Sequence, residues 1–193
     1  MLNSELRRVG SWVLGLVEDP GVKVLGVAGI DPQSGDSAAL AADLARGLAM
    51  HLPRVMLVDA SAEPQHLDIC LPPATRSLGD FLSGRASLSE IIARDPDTGL
   101  HWIAGAKGGA GARMEGVLQA LSAAYDLVVV HAGAYRRAEP RALLACNAAA
   151  ITAPMLQALE AREVMQGLRQ AGIAHTEFAA SSGAGAGRAG RAA

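Results

Sequence analysis

Aromatic side chains are nearly missing from this sequence: Phe, Tyr and Trp together make up 3% of its 193 residues. The core must therefore be built from aliphatic side chains and close backbone approach. Cysteine is scarce too. Cys70 and Cys146 fit no metal-ligand spacing, so no metal or disulfide staple is indicated, and both read as small buried apolar groups in a reducing compartment. There is no basic excess. A net charge of −2 argues against a broad nucleic-acid footprint. No apolar run reaches the length of a membrane span. The stretch Met1–Glu5 lacks the basic start of a signal peptide, and acidic Glu5 precedes the only short apolar patch. A cytoplasmic protein is the expectation. The chain is long enough for one domain that buries roughly 70% of its unfolded surface.

What is present in quantity is alanine, glycine and aliphatic periodicity. The informative stretch is 22–50. Val22, Val24, Leu25 and Val27 have the character of a buried parallel strand, Pro32, Ser34 and Gly35 form a turn, and Leu40, Leu44 and Leu48 make the stripe of a helix packed on a sheet. Strand, glycine loop and helix in this order frame a phosphate-binding P-loop. Yet where that motif has Gly-Lys-Ser/Thr, this chain has Gly35-Asp36-Ser37, and Ile30 stands where the first motif glycine belongs. The exchange reverses a charge. A pair of unit charges near the surface is worth roughly 4 kcal/mol at close range, so losing an attraction and gaining a repulsion weakens phosphate binding by orders of magnitude. A carboxylate at a helix N-terminus is, by contrast, well placed against the free N–H groups and the dipole. Asp36 is therefore read as filling the anion site from within.

The remaining chain alternates strands and helices. An amphipathic helix is expected over 3–18, with Val9, Trp12, Val13 and Leu16 on one face and Asp19-Pro20-Gly21 ending it. Strands are expected at Val55–Ala60, Leu100–Gly105, Asp126–His131, Ala148–Ala153 and, at an edge, Ile173–Ala180. Residues 61–76 read as irregular. A short helix holds Leu78, Phe81 and Leu82, and the capping box Ser87–Glu90 opens another. Helices follow around Met114–Leu121, Ala138–Cys146 and Met155–Ala171. The fold class is thus α/β, a mainly parallel doubly wound sheet with helices on both faces, P-loop NTPase-like. Residues 1–21 are an N-terminal amphipathic helix, 22–180 the domain, and 181–193 a disordered Gly/Ala/Ser tail. Ligands in such sheets sit at the carboxyl ends of the strands, where the loop before Ser37, Asp59 and His131 converge. The histidines show no ligand spacing, so His131 is read as a strand-end histidine hydrogen-bonded near Asp59.

In the order of these motifs the chain resembles the cytoplasmic domain of bacterial tyrosine kinases of the Wzc and CapB/CpsD type, within the deviant P-loop group that also holds MinD and ParA. The resemblance spans about residues 5–175. It rests on Glu5 and Arg8 in a Glu-x-x-Arg pattern, whose next arginine would fall at Ser11, and on Pro32 to Gly35 in the loop. It rests further on Val55–Ala60 as the strand ending in Asp-x-Asp, on Ser77–Gly84 with Ala86–Leu88, on Leu100–Gly105, and on Tyr125–Val130 leading into Walker B. The departures fall on the chemistry: Asp36 for the Walker A lysine, Ser61 for the second acid of Asp-x-Asp, His131 for the Walker B acid, and no tyrosine cluster in the tail. Scaffold residues persist while site residues are replaced.

The resemblance implies a degenerate kinase-like protein that regulates or scaffolds production and export of an exopolysaccharide, capsule or holdfast polysaccharide. The implied partner is the cytosolic segment of a membrane-embedded polysaccharide co-polymerase. Glu5, Arg8 and Trp12 would carry the contact, or a homo-oligomer, and the protein would be recruited to the inner membrane without entering it. The degenerate nucleotide site comprises Gly35, Asp36, Ser37, Asp59 and His131, with no catalytic residue and no cofactor, or at most weakly bound ATP and Mg²⁺. Two alternatives stand beside this: an ATP-binding switch or tyrosine kinase of the same pathway using Ser37 and Asp59, and a MinD/ParA-like positioning ATPase. The loop Lys107–Arg113 mimics the Lys-Gly-Gly-x-Gly-Lys loop of MinD-type ATPases, but Ala112 replaces its lysine and a plain connection is the better reading. Arg136, Arg137 and Arg141 read as a solvated helix face.

Overall fold

The computed structural model describes residues 2–30, 36–62, 65–106, 114–135 and 140–181. In chain order the elements are α1 (Leu2–Val17), β1 (Val24–Gly29), α2 (Asp36–Ala49), β2 (Val55–Asp59), α3 (Gln65–Asp68), α4 (Leu78–Leu82), β3 (Ile92–Arg94) and β4 (His101–Ile103). They continue with α5 (Met114–Ala124), β5 (Leu127–Ala134), α6 (Pro140–Leu144), β6 (Ala148–Pro154), α7 (Ala158–Gln170) and β7 (His175–Ser181). They form one seven-stranded sheet in the order β3-β4-β2-β5-β1-β6-β7. Every pairing is parallel except β3 with β4.

The sheet is covered on both faces because its central strands are buried along almost their whole length and mostly apolar, and strand periodicity sorts those positions into two cores. Val24, Ala28, Met56, Val58, Val128 and Val130 face one core, shared with Met114, Val117, Leu118 and Leu121 of α5 and with Leu143, Met165 and Leu168. Leu25, Val27, Leu57 and Val129 face the other, shared with Leu40, Leu44 and Leu48 of α2 and with Val9 and Val13 of α1. The N-terminal helix thus contributes to the domain's own core, while Trp12 packs half-buried at its margin.

Several local expectations are corrected. At Ser87 only the Glu90 half of the capping box forms, the Ser87 N–H and hydroxyl each donating to Glu90 Oε2 at 2.7 Å, and the segment opens a single 3-10 turn at Ser89–Ile91 whose N-cap, Leu88, makes no side-chain bond. Ile92 then enters the short antiparallel strand β3, because β4 offers an edge within reach. Residues 65–68 are helical within the segment read as irregular. The helix expected from Met155 starts as a 3-10 turn, and α7 proper begins at Ala158. Ser181, assigned to the tail, closes β7. Pro32, Ser34 and Gly35, the whole of the loop 107–113, Arg136–Arg137 and the tail after Ser181 lie outside the described residues.

Strand β5 runs on past His131 to Ala134, and this matters for the site. A bulge falls opposite Val27/Ala28, where Val27 pairs with His131 but Ala28 pairs with Gly133. Gly133 has φ +75°, and a Cβ there would stand 2.9 Å from Ser61 Cβ, so both the backbone and the space demand glycine.

Candidate functional site

Asp59 and His131 are register partners on the adjacent parallel strands β2 and β5. They continue the alternation of Leu57 and Val129, so both side chains project to the sheet face on which α2 lies. The first turn of α2 comes down on the same spot. A Cβ on Gly29 would meet Ser37 Oγ and Thr152 Oγ1 at 3.3 Å each, so the glycine at the end of β1 lets the start of α2 approach the sheet.

These placements create a linear relay. His131 Nδ1 lies 3.1 Å from Asp59 Oδ1, and His131 Nε2 lies 3.2 Å from Ser37 Oγ. Asp59 Oδ1 also accepts the Ser61 N–H at 3.0 Å, and the Ala60 N–H donates to the His131 carbonyl at 2.8 Å, which ties the end of β2 to β5. Exposure grows along the relay: Asp59 is 0% exposed, His131 1% and Ser37 7%. The arrangement suits the tautomer in which Nδ1–H donates to the Asp59 carboxylate and Nε2 accepts from the Ser37 hydroxyl. Asp59 Oδ2 and Ser61 Oγ are buried and have no hydrogen-bond partner among the described residues.

Asp36 is the first residue of α2, where the dipole favours its charge. Asp68, at the end of α3, has its carboxyl pushed above the usual range, first by burial and then by the negative charge of Asp59. It also lines a cleft of about 780 Å³ at the carboxyl end of β4, together with Arg76, Ser77, Asp80, Arg85 and Gly105.

Mg²⁺ takes hard oxygen ligands in near-octahedral geometry. Here the hydroxyl of Ser37 and one oxygen of Asp59 are bonded to an imidazole that lies between them. Asp36 stands in place of the cation that would meet the outer phosphates. The donor set does not fit. Among the described residues no group of three or more His, Cys, Asp or Glu side chains is placed to hold a metal ion.

The other residues singled out in the sequence are used elsewhere. Glu5 and Arg8 face β7, on the outer edge of the sheet. Arg8 donates to the Phe178 carbonyl and to Glu177, and at 2.9 Å to Glu5, whose carboxylate accepts the Ala180 N–H at 3.1 Å. Their charges reinforce each other. The hydrogen bond from Arg8 holds the Glu5 carboxyl below its ordinary range, and Glu5 in turn raises Arg8. The Ser37–His131 bond was not foreseen. The signal for it was present: strand alternation puts residues 57, 59, 129 and 131 on one face, the face that the leucine stripe of α2 must cover.

No protein-family model matches this chain, and no curated protein matches it. Solved structures do. The kinase domain of the Escherichia coli tyrosine kinase ETK superposes with a TM-score of 0.72 at 19% identity, over 91% of this chain and 74% of that one. The BceF tyrosine kinase domain does so with a TM-score of 0.66 at 21% identity, over 91% and 76%. The cell-division ATPase MinD of Pyrococcus furiosus gives 0.60 at 17% identity, over 81% and 69%. The chain therefore has the α/β fold of the P-loop ATPases, shared by bacterial tyrosine kinase domains and MinD.

Proposed function

We propose that this protein is a regulator or scaffold in the production and export of a surface polysaccharide, built on a tyrosine-kinase-like domain that has given up ATP turnover. One observation carries the reading. In a fold shared with tyrosine kinase domains, His131 bridges the hydroxyl and the carboxylate that a P-loop enzyme would commit to its metal. Phosphoryl transfer depends on a metal and cations to neutralise the phosphates, and Asp36 works against them. What remains is a rigid sheet presenting α1 and the loops around it.

The partner is the cytosolic segment of a polysaccharide co-polymerase, and contact with it places the protein at the inner membrane. An apolar groove of about 290 Å³ between α1 and α2, lined by Leu6, Gly10, Leu14, Leu44 and Leu48, offers the surface for it, with the half-buried Trp12 elsewhere on α1. Glu5 and Arg8 take part by fixing α1 against β7. Deleting the gene is expected to lower surface polysaccharide, and the purified chain is expected to bind the co-polymerase segment equally with and without ATP. Binding that needs ATP would instead favour a nucleotide switch, and no binding together with unchanged polysaccharide would overturn the proposal.

A further inference from the structure

The relay that excludes a metal has a chemistry of its own. A hydroxyl, an imidazole and a carboxylate in line, with the carboxylate on Nδ1 and the hydroxyl on Nε2, form the arrangement by which a serine is made nucleophilic. We propose that Ser37 is an acyl-accepting nucleophile, with His131 as its general base and Asp59 as the positioning residue, acting on esters or thioesters of small carboxylic acids. This goes beyond the scaffold reading and is independent of nucleotide.

Three features support it. The carboxylate lies at Nδ1 and the hydroxyl at Nε2, at 3.1 and 3.2 Å, the order that general-base catalysis requires. The reactive end of the relay is its most exposed member, at 7%, while the orienting end is wholly buried. Finally, the buried and unpartnered Asp59 Oδ2 and Ser61 Oγ are polar atoms at the base of the relay that packing alone does not explain.

The step balances with the ester and water alone. His131 Nε2 takes the Ser37 hydroxyl proton as Oγ bonds to the ester carbonyl carbon, and the carbonyl π pair moves onto its oxygen. When that pair returns, the bond to the leaving alkoxide or thiolate breaks, and the leaving group takes the proton from Nε2. Water then attacks the acyl-serine by the same route, releasing a carboxylic acid and restoring Ser37. Asp59 stays ionised throughout and holds the tautomer.

The test uses the full chain with a fluorophosphonate probe, the labelled residue being found by peptide mass spectrometry, and with p-nitrophenyl acetate. Ser37 is expected to be labelled. Labelling is expected to vanish in Ser37→Ala and to fall at least tenfold in His131→Gln. Asp59→Asn, which can turn an N–H toward Nδ1, is expected to lower kcat for the acetate with KM little changed. Failure to label Ser37 in the folded native chain overturns the proposal even if every variant misfolds, and so does labelling that His131→Gln leaves unchanged. Neither result bears on co-polymerase binding, which tests the scaffold reading separately.

Discussion

His131 Nε2 stands 3.2 Å from Ser37 Oγ, joining the end of a central strand to the first turn of the helix that covers it. The bond continues to Asp59, which is wholly buried. Replacing His131 by Ala leaves that carboxylate with the Ser61 N–H as its partner among the described residues, and a buried polar group deprived of a hydrogen bond costs about 1–3 kcal/mol. His131→Ala is therefore expected to lose about that much in urea unfolding. His131→Asp sets two carboxylates side by side, so its thermal midpoint is expected to rise with added Mg²⁺ while that of the native chain does not. A His131→Ala variant as stable as the native chain would show the relay to be incidental.

The α1–β7 contact is a second testable device. Edge strands expose unpaired backbone groups, and proteins close them with charged side chains. Here Arg8 covers the Phe178 carbonyl and Glu5 the Ala180 N–H. Arg8→Ala is expected to speed amide exchange at Ala180 about tenfold while central strand amides such as Val129 are unaffected. Because Arg8 is 44% exposed, its loss should cost no more than about 1 kcal/mol of global stability. Unchanged exchange at Ala180 would remove the contact from the account.

Acid stability should report a third. Asp95 is buried and accepts from Arg46 Nε at 2.8 Å, Thr98 Oγ1 at 2.9 Å and the Asp97 N–H at 3.2 Å. Burial alone would raise its carboxyl, but the Arg46, Thr98 and backbone donors outweigh it and hold it below the usual range. A carboxyl lowered in the folded state contributes stability that is fully present above the unfolded value of about 3.9 and is lost as pH falls through the folded value. Asp95→Asn is expected to be less stable at pH 7 and to lose less further stability on acidification below about pH 4. An unchanged acid limb would contradict the assignment.

Much of this architecture was legible because central parallel strands advertise themselves. Asp126–His131 and Val55–Ala60 are apolar runs with polar ends, and the leucine stripe of α2 has helical spacing. What escaped notice depends on contacts between distant segments. Strand β3 is three residues long and exists because β4 offers it an edge. The Arg46–Asp95 pair joins residues 49 apart, and the Arg8–Phe178 contact joins residues 170 apart. At the site, the replacements at residues 36, 61 and 131 could be read directly, and so could the pairing of His131 with Asp59. That the imidazole also reaches Ser37 follows from how closely α2 settles on Gly29, which sequence spacing does not encode.

The claim that nucleotide handling has been given up is tested most directly by isothermal titration with ATP and Mg²⁺, native chain beside Asp36→Lys. The account predicts no binding to the native chain and measurable binding once the carboxylate at the start of α2 is replaced by a cation. Micromolar binding to the native chain would contradict it, because the phosphates would then be held by a cation from outside the loop and the nucleotide-switch reading would take its place.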